Sequence, residues 1–277
     1  MDKAPKVDQM EKRQFTLFDI LLTLLTGIFF AFIILVFLML FTAVSVDQLL
    51  RQLSSPLVLA SIRISLQTSL IVVCLTFFFG FPVAYLLSLK TFKGKEFLDS
   101  LIDLPIVLPP LVSGLALLIL FGGDGMIGKI LGYWDIRIIF SQKGIICAQL
   151  FVSAPFFIKT VKESIAAIPK EIIAASATLG ASSFYTFRRL ILPLSKNGIL
   201  AGLAMTWTRA MGEFGATSMV AGCIPGQTET MTIGIYMNAM SGNLEAAVAV
   251  GIILLGFSFI SLLILKIRFN RSYGYHY

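Results

Sequence analysis

Six apolar stretches, each long enough to cross a bilayer, limit what this chain can fold into. They run over about 17–43, 62–89, 98–121, 142–160, 197–221 and 245–266. A helix rises ~1.5 Å per residue, so about 20 apolar residues cross ~30 Å of hydrocarbon. Lipid offers no water to unpaired backbone groups, which leaves the helix as the way to satisfy them within one stretch. The expected fold class is an all-α polytopic membrane protein with six transmembrane helices. Composition agrees: 57% of the 277 residues are hydrophobic, 13% are charged and mean hydropathy is +0.90. Ordinary soluble domains carry about 25% charged residues. The first stretch exceeds a signal-peptide core and no small-residue cleavage site stands out, so it counts as a span.

Prolines mark the irregular places. Pro105 and Pro109-Pro110 fall in the third stretch; each removes a backbone donor, so that span is expected to be kinked or to start irregularly. Pro82 and Pro155 are candidate kinks in the second and fourth. Between the fifth and sixth stretches, Met231 to Met240 is apolar enough to dip back as a short re-entrant helix.

Basic residues set the orientation. One side of the membrane holds Lys3, Lys6, Lys12 and Arg13, then Lys90, Lys93 and Lys95, then Lys159, Lys162, Lys170, Arg188, Arg189 and Lys196, and lastly Lys266, Arg268 and Arg271. The other holds only Arg51, Arg63, Lys129, Arg137 and Lys143. The positive-inside rule therefore puts both termini in the cytoplasm. The expected organisation is a cytoplasmic segment 1–16, a membrane domain 17–266 with a cytoplasmic loop at 159–196, and a cytoplasmic tail 267–277. The net charge of +7 reads as topology; no basic stripe with interleaved aromatics suggests nucleic acid.

Several chemistries are excluded. Cys74, Cys147 and Cys223 are scattered and odd in number, and His276 is the only histidine. No disulfide framework, His-rich metal site or His-based catalytic triad follows. Gly123 to Lys129 copies part of a phosphate-binding loop, but Ile130 replaces the magnesium-binding hydroxyl and no strand is expected before it. The chain is expected to have no catalytic residues, no cofactor and no ATPase site of its own.

The loop at 159–196 is the most informative segment. Pro169 suits a first helical turn. Lys170 to Leu179 then reads helical, with Ile172, Ala175 and Leu179 on one face, and Gly180 is a natural stop. Ser182 or Ser183 can cap a second short helix bearing Phe184, Phe187 and Leu190, and Pro193 ends it. The expected shape is two short helices with an elbow at Gly180, slim enough to enter a partner's groove. The alternative is an amphipathic pair lying on the lipid surface.

Here the chain resembles the permease subunits of type I ABC importers. Their cytoplasmic signature is Glu-Ala-Ala, then a Gly, then a distant Leu-Pro. Ala175, Gly180, Leu192 and Pro193 match. Ala174 and Ser176 stand where Glu and Ala are usual, and Glu171 is a candidate stand-in one turn earlier. The resemblance implies that this loop is a coupling helix seated in an ATPase cleft, with Glu171, Ala174, Ala175, Leu179, Gly180 and Phe184 as coupling residues. A second segment, Arg209 to Thr217 with Gly212-Glu213-Phe214-Gly215-Ala216-Thr217, is followed by Ile224-Pro225-Gly226-Gln227-Thr228. It is similar to molybdate permeases, with sulfate and thiosulfate permeases as near relatives. The implied partners are a second copy of the chain, two ATP-binding cassette subunits carrying the ATP and magnesium, and an external oxyanion-binding protein.

Arg209 and Glu213 lie four apart in the fifth stretch, hence on one helix face. Either charge alone near the bilayer centre would cost about 2.5–3.5 kcal/mol or more. Two readings stay open: a gate or pathway lining with Thr217, or an ion pair that fixes packing. A charge swap should then harm less than either single neutral change. Gly198, Gly202, Gly212, Gly215 and Gly222 permit close helix approach. Asp99 and Asp103 are expected to pair with Lys93 or Lys95, or to form an inner rim. A secondary transporter is the competing class, but it would need coupling groups deep in the spans, and only Glu213 lies there. A membrane enzyme is disfavoured by the lack of a catalytic cluster.

Overall fold

The computed structural model describes residues 17–270, with side-chain surroundings up to 263. The segment 1–16, Arg271 and His276 lie outside the described residues, as do the side chains of Lys266 and Arg268. All regular structure among the described residues is helical. The chain divides into two compact units, Met1–Ser45 and Val46–Tyr277, where the sequence suggests one membrane domain over 17–266.

The first unit contains α1, Leu17–Thr42, apolar all round and long enough to span. The second unit begins with the short amphipathic α2, Val46–Leu53, and the long α3, Pro56–Leu89. Then come α4, Lys95–Val107, and α5, Pro110–Phe121, followed by α6, Met126–Gly132, and α7, Gln142–Ala166. The loop region holds α8, Lys170–Thr178, α9, Ser183–Thr186, a π-helical turn Phe187–Ile191, and α10, Leu192–Leu194. The chain closes with α11, Lys196–Met211, α12, Gly215–Ala221, α13, Met231–Met240, and α14, Leu244–Asn270.

All six apolar stretches are helical, but two are broken. Among the described residues, α1, α3, α7 and α14 are each long and apolar enough to span alone. The third stretch is α4 and α5 bent by 112°. Pro109 and Pro110 lie at the bend, because a proline N–H cannot continue the ladder and the residue before a proline avoids helical backbone. Pro82 and Pro155 stand inside helices that continue through them. The fifth stretch stops at Met211 and restarts at Gly215, so Arg209 and Glu213 do not share one continuous helix face. The re-entrant candidate is α13, and its 10 residues reach only ~15 Å.

The core of the second unit forms where α3, α7 and α11 meet. Phe81 and Ala84 of α3, Phe157, Val161 and Ile165 of α7, Ile191 and Ile199 make one buried cluster. A second joins Leu117 of α5, Ala148 and Val152 of α7, and Ala216 and Val220 of α12. Ion pairs tie α4 to α7: Asp99 to Lys162 at 2.6 Å and Asp103 to Lys159 at 2.9 Å. These replace the expected partners Lys93 and Lys95. Asp99 and Asp103, four apart, face two lysines three apart on the packed helix, whereas the Lys95 ammonium donates to the Lys90 carbonyl.

Lipid tails are as apolar as leucine, so helices in a membrane gain by close packing rather than by escape from water. Gly198 shows how close α11 and α7 come: a Cβ there would lie 2.2 Å from Ser164 Cβ. Gly198→Ala should therefore cost about 1–3 kcal/mol as an overpacked site. Gly251→Ala, with no atom within 4 Å of the added carbon, should leave the protein as stable as the parent. Thermal unfolding of the two purified variants checks this; equal midpoints would contradict the packing.

Candidate functional site

The structure presents two candidate sites, the elbow around Gly180 and the break in the fifth stretch. At the elbow, Gly180 takes φ +79°. Its N–H donates to the Ala177 carbonyl at 3.0 Å and the Ala181 N–H donates to the Ser176 carbonyl at 3.0 Å. These two bonds are a Schellman C-cap, which needs the left-handed residue that glycine supplies. Ser182 caps α9 by accepting from the Tyr185 N–H at 3.2 Å. Ile172, Ala175 and Leu179 face outward, as their spacing predicts, with Leu179 87% and Phe184 69% exposed. Glu171 and Ala174 are also exposed on α8.

The inner face of the elbow was not visible in the sequence. Ser176 is buried against α9, its hydroxyl 2.9 Å from that of Thr186, and it also donates to the Ile173 carbonyl at 2.8 Å. At a position where alanine is usual in the resembled family, this chain ties the two arms with a buried hydroxyl pair. The following π-turn is anchored by Phe187, whose ring lies 5.7 Å from those of both Phe81 and Tyr85 on α3.

The break is organised by Glu213. Its side chain is 1% exposed and pairs with Arg209 at 2.6 Å; the arginine is 28% exposed. The other carboxylate oxygen accepts from the Ala216 N–H at 2.9 Å. Glu213 thus caps α12 from the residue before its N-cap, where a negative charge also suits the helix dipole. The Glu213 carbonyl accepts from the Thr232 hydroxyl of α13 at 2.8 Å, and the Phe214 ring sits 5.0 Å from that of Tyr236. Breaking the helix at Gly212–Phe214 lets one carboxylate meet a cation and an open backbone donor together, as a buried charge requires. Thr217 lies within α12, fully buried, with no hydrogen-bond partner for its hydroxyl among the described residues. The structure brings Arg209 and Glu213 together and leaves Thr217 in the packing.

After α12, the chain turns at Gly222 (φ +70°) and Gly226 (φ +69°) through the Ile224–Thr228 segment. The Thr228 hydroxyl accepts from the Ile224 N–H at 3.1 Å, closing this loop on itself. Glu229 is buried beside it; desolvation holds its carboxyl above the ordinary range, opposed by a hydrogen bond from the Gly226 backbone. The phosphate-loop mimic is a turn leading from α5 into α6, whereas a nucleotide-binding loop follows a strand.

The cap changes the mutational expectation. A charge swap would place at 213 a guanidinium that cannot accept from the Ala216 N–H. Arg209→Gln, Glu213→Ala and the double swap should all be destabilised by about 3–5 kcal/mol, the usual result of breaking a buried pair. Glu213→Gln, which keeps an acceptor, should be the mildest of the set. Folded yield and thermal midpoint check this order; a swap as stable as the parent would contradict it.

The model of a family described as "Binding-protein-dependent transport system inner membrane component" matches residues 77–271. The Probable transport system permease protein NifC of Clostridium pasteurianum is 36% identical over 75% of this chain and 72% of its own. The Sulfate transport system permease protein CysT of Salmonella typhimurium is 34% identical, covering 79% and 80%. The Probable molybdenum ABC transporter permease protein of Haloferax volcanii is 39% identical, covering 64% and 63%. A chain from the crystal structure of a bacterial alginate ABC transporter, in complex with an alginate pentasaccharide-bound periplasmic protein, superposes with TM-score 0.68 at 16% identity. That match covers 90% of this chain and 92% of the other. The helical elbow and the broken span thus sit in a type I ABC importer permease fold, and the chain belongs to the ABC permease family of binding-protein-dependent inner-membrane components.

Proposed function

We propose that this chain is the membrane-spanning permease subunit of an ATP-driven importer for molybdate or tungstate. In this reading it works as a homodimer around a central path, with both termini and the elbow in the cytoplasm. An external binding protein delivers the oxyanion, and two ATPase subunits carry ATP and magnesium and hold one elbow each. The observation that carries the reading is the exposed apolar face of the elbow. Ile172, Leu179, Phe184 and Tyr185 are presented to the outside by a loop whose two arms are tied together by the buried Ser176–Thr186 hydroxyl pair. A soluble groove would bury this surface at ~25 cal/mol per Å², and differential affinity for two permease conformations would convert ATP binding into motion.

Molybdate is favoured by the Gly212–Thr217 and Ile224–Thr228 sequences and by the relative from Haloferax volcanii. Sulfate is the second reading, favoured by the longer match to the Salmonella typhimurium sulfate permease. The discriminating experiment reconstitutes the chain with its ATPase and binding protein and measures uptake of labelled molybdate and sulfate. ATP-dependent uptake of molybdate in preference to sulfate is expected; uptake without the ATPase would instead support a secondary transporter.

The elbow yields a sharper test. Nothing lies within 4 Å of a Cβ added at Gly180, so space is not the constraint there; φ +79° is. An L-residue pays roughly 1–2 kcal/mol in this region and a β-branched one more, whereas asparagine tolerates it. Gly180→Val should reduce uptake by about tenfold or more, the equivalent of ~1.4 kcal/mol at the ATPase interface, with spans still inserted. Gly180→Asn should retain most transport. Wild-type transport by Gly180→Val would refute the coupling role.

A further inference from the structure

We infer that the cavity beside the N-terminal part of α3, lined by Arg63, Gln67 and Gln142, is an oxyanion relay site on the outer side of the translocation path. The inference rests on the oxyanion-import reading and adds a site to it. Pro56, Leu59, Ala60, Arg63, Ile64 and Gln67 recur at spacings of three and four, so they form one stripe of α3. That stripe, with Gln142 and Gly226, bounds a cavity of about 550 Å³.

Charge and partners single out this place. Arg63 has no ion pair or hydrogen bond among the described residues, unlike Arg209, which Glu213 neutralises. No carboxylate lines the cavity. Gln67 is likewise unpartnered, and Gln142 uses its amide nitrogen to donate to the Gln227 carbonyl at 3.3 Å. An unpaired arginine in a recess shared with two side-chain amides fits a tetrahedral oxyanion, whose oxygens accept the guanidinium fork in pairs. The side-chain amides supply further donors. The same fork has little use facing lipid, where a lone cation is costly.

The position suits a relay rather than a tight trap. At 34 residues, α3 is ~51 Å long, about 20 Å more than the hydrocarbon. Arg63 lies about two turns from Pro56, the end that the charge pattern places outside, and so near the outer edge of the hydrocarbon. One wall is the Ile224–Thr228 loop, which is continuous through α12 with the Glu213 cap. The acid of that segment, Glu229, lines a separate cavity with Cys223 and Pro225. An anion released by the binding protein would meet the exposed guanidinium of Arg63 beside this loop. Holding it weakly there raises its local concentration without the tight binding that would stop onward passage.

The test uses the assembled permease–ATPase complex, with Cys74, Cys147 and Cys223 replaced by serine and Gln67→Cys as reporter. Labelling by a negatively charged thiosulfonate should be about tenfold faster than in the same protein carrying Arg63→Gln, through electrostatic attraction. Molybdate and sulfate should slow labelling several-fold only when Arg63 is present, and chloride at equal ionic strength should not. Labelling indifferent to Arg63 or to both oxyanions would overturn the site. In a parallel measurement, Arg63→Gln should lower binding-protein-dependent uptake about tenfold, a ~1.4 kcal/mol effect, with Arg63→Lys partly restoring it. Reduced capture of the binding protein by Arg63→Gln, without oxyanion protection, would make Arg63 a docking residue and refute the relay. Wild-type uptake of neither anion would instead refute the import reading, because protection at Gln67→Cys is read without transport.

Discussion

The arrangement around the break in the fifth stretch depends on one buried carboxylate. Glu213 is a charge taken almost wholly out of water, and a buried charge is tolerated only when its oxygens are matched. Arg209 matches one and the Ala216 N–H the other. A straight helix would not free the Ala216 N–H, because its donor would be used four residues back. The break at Gly212–Phe214 is thus what lets the charge stay, and the charge in turn starts α12. From there α12 packs its Ala216 and Val220 against Leu117 and Val152, and its Val220 carbonyl accepts from Phe140 in the outer loop. Thr232 ties α13 to the same residue through the Glu213 backbone. One residue thus links α11 and α12 through its carboxylate and α13 through its carbonyl.

The elbow follows the opposite logic. Its inner face is closed by the Ser176–Thr186 hydroxyl pair and by Phe187 packed on α3, while its outer face leaves leucine and phenylalanine exposed. Exposed apolar side chains on a well-packed scaffold are how a docking surface looks before its partner arrives. A proton- or sodium-coupled transporter would show the reverse pattern, with a free carboxylate deep in the spans. Glu213 is not free, since both of its oxygens are engaged. The two regions together accord with the binding-protein-dependent transport family to which the chain belongs.

The sequence made the helical stretches, the proline-marked bend, the α13 segment and the elbow legible, because each has a local signal. Pro109-Pro110 interrupts the helical ladder by removing backbone donors, and the glycine at 180 marks a left-handed helix stop. The break after Met211 was hidden because apolar residues on both sides carry a hydropathy window across Gly212–Phe214. Its cause is the match between Glu213 and the Ala216 N–H, which is a three-dimensional fact. The Asp99 and Asp103 partners were missed for the same reason: near neighbours in sequence were favoured, whereas α7 brings Lys162 and Lys159 across the fold. Ser176 and Thr186 carry no local signal for their pairing, because only the fold brings the two hydroxyls together, and the recess beside Arg63 is likewise made by residues distant in sequence.

A remaining question is how the elbow reaches the path. The continuous element between them is α11. It starts at Lys196, just after the π-turn anchored on Phe81 and Tyr85, and ends at Met211, next to the Glu213 break. Along the way Gly198 and Gly202 press it against Ser164 and Phe157 of α7. Helices packed this tightly move as bodies and not by bending, since close-packed interiors transmit displacement. Both α11 and α12 pack on α7, so a pull on the elbow would carry the three helices together. Irregular backbone at membrane depth is tolerated where it is buried in protein or lines a water-filled cavity. The break at Gly212–Phe214 is of the buried kind at Glu213, held in place by Arg209, the Ala216 N–H and Thr232.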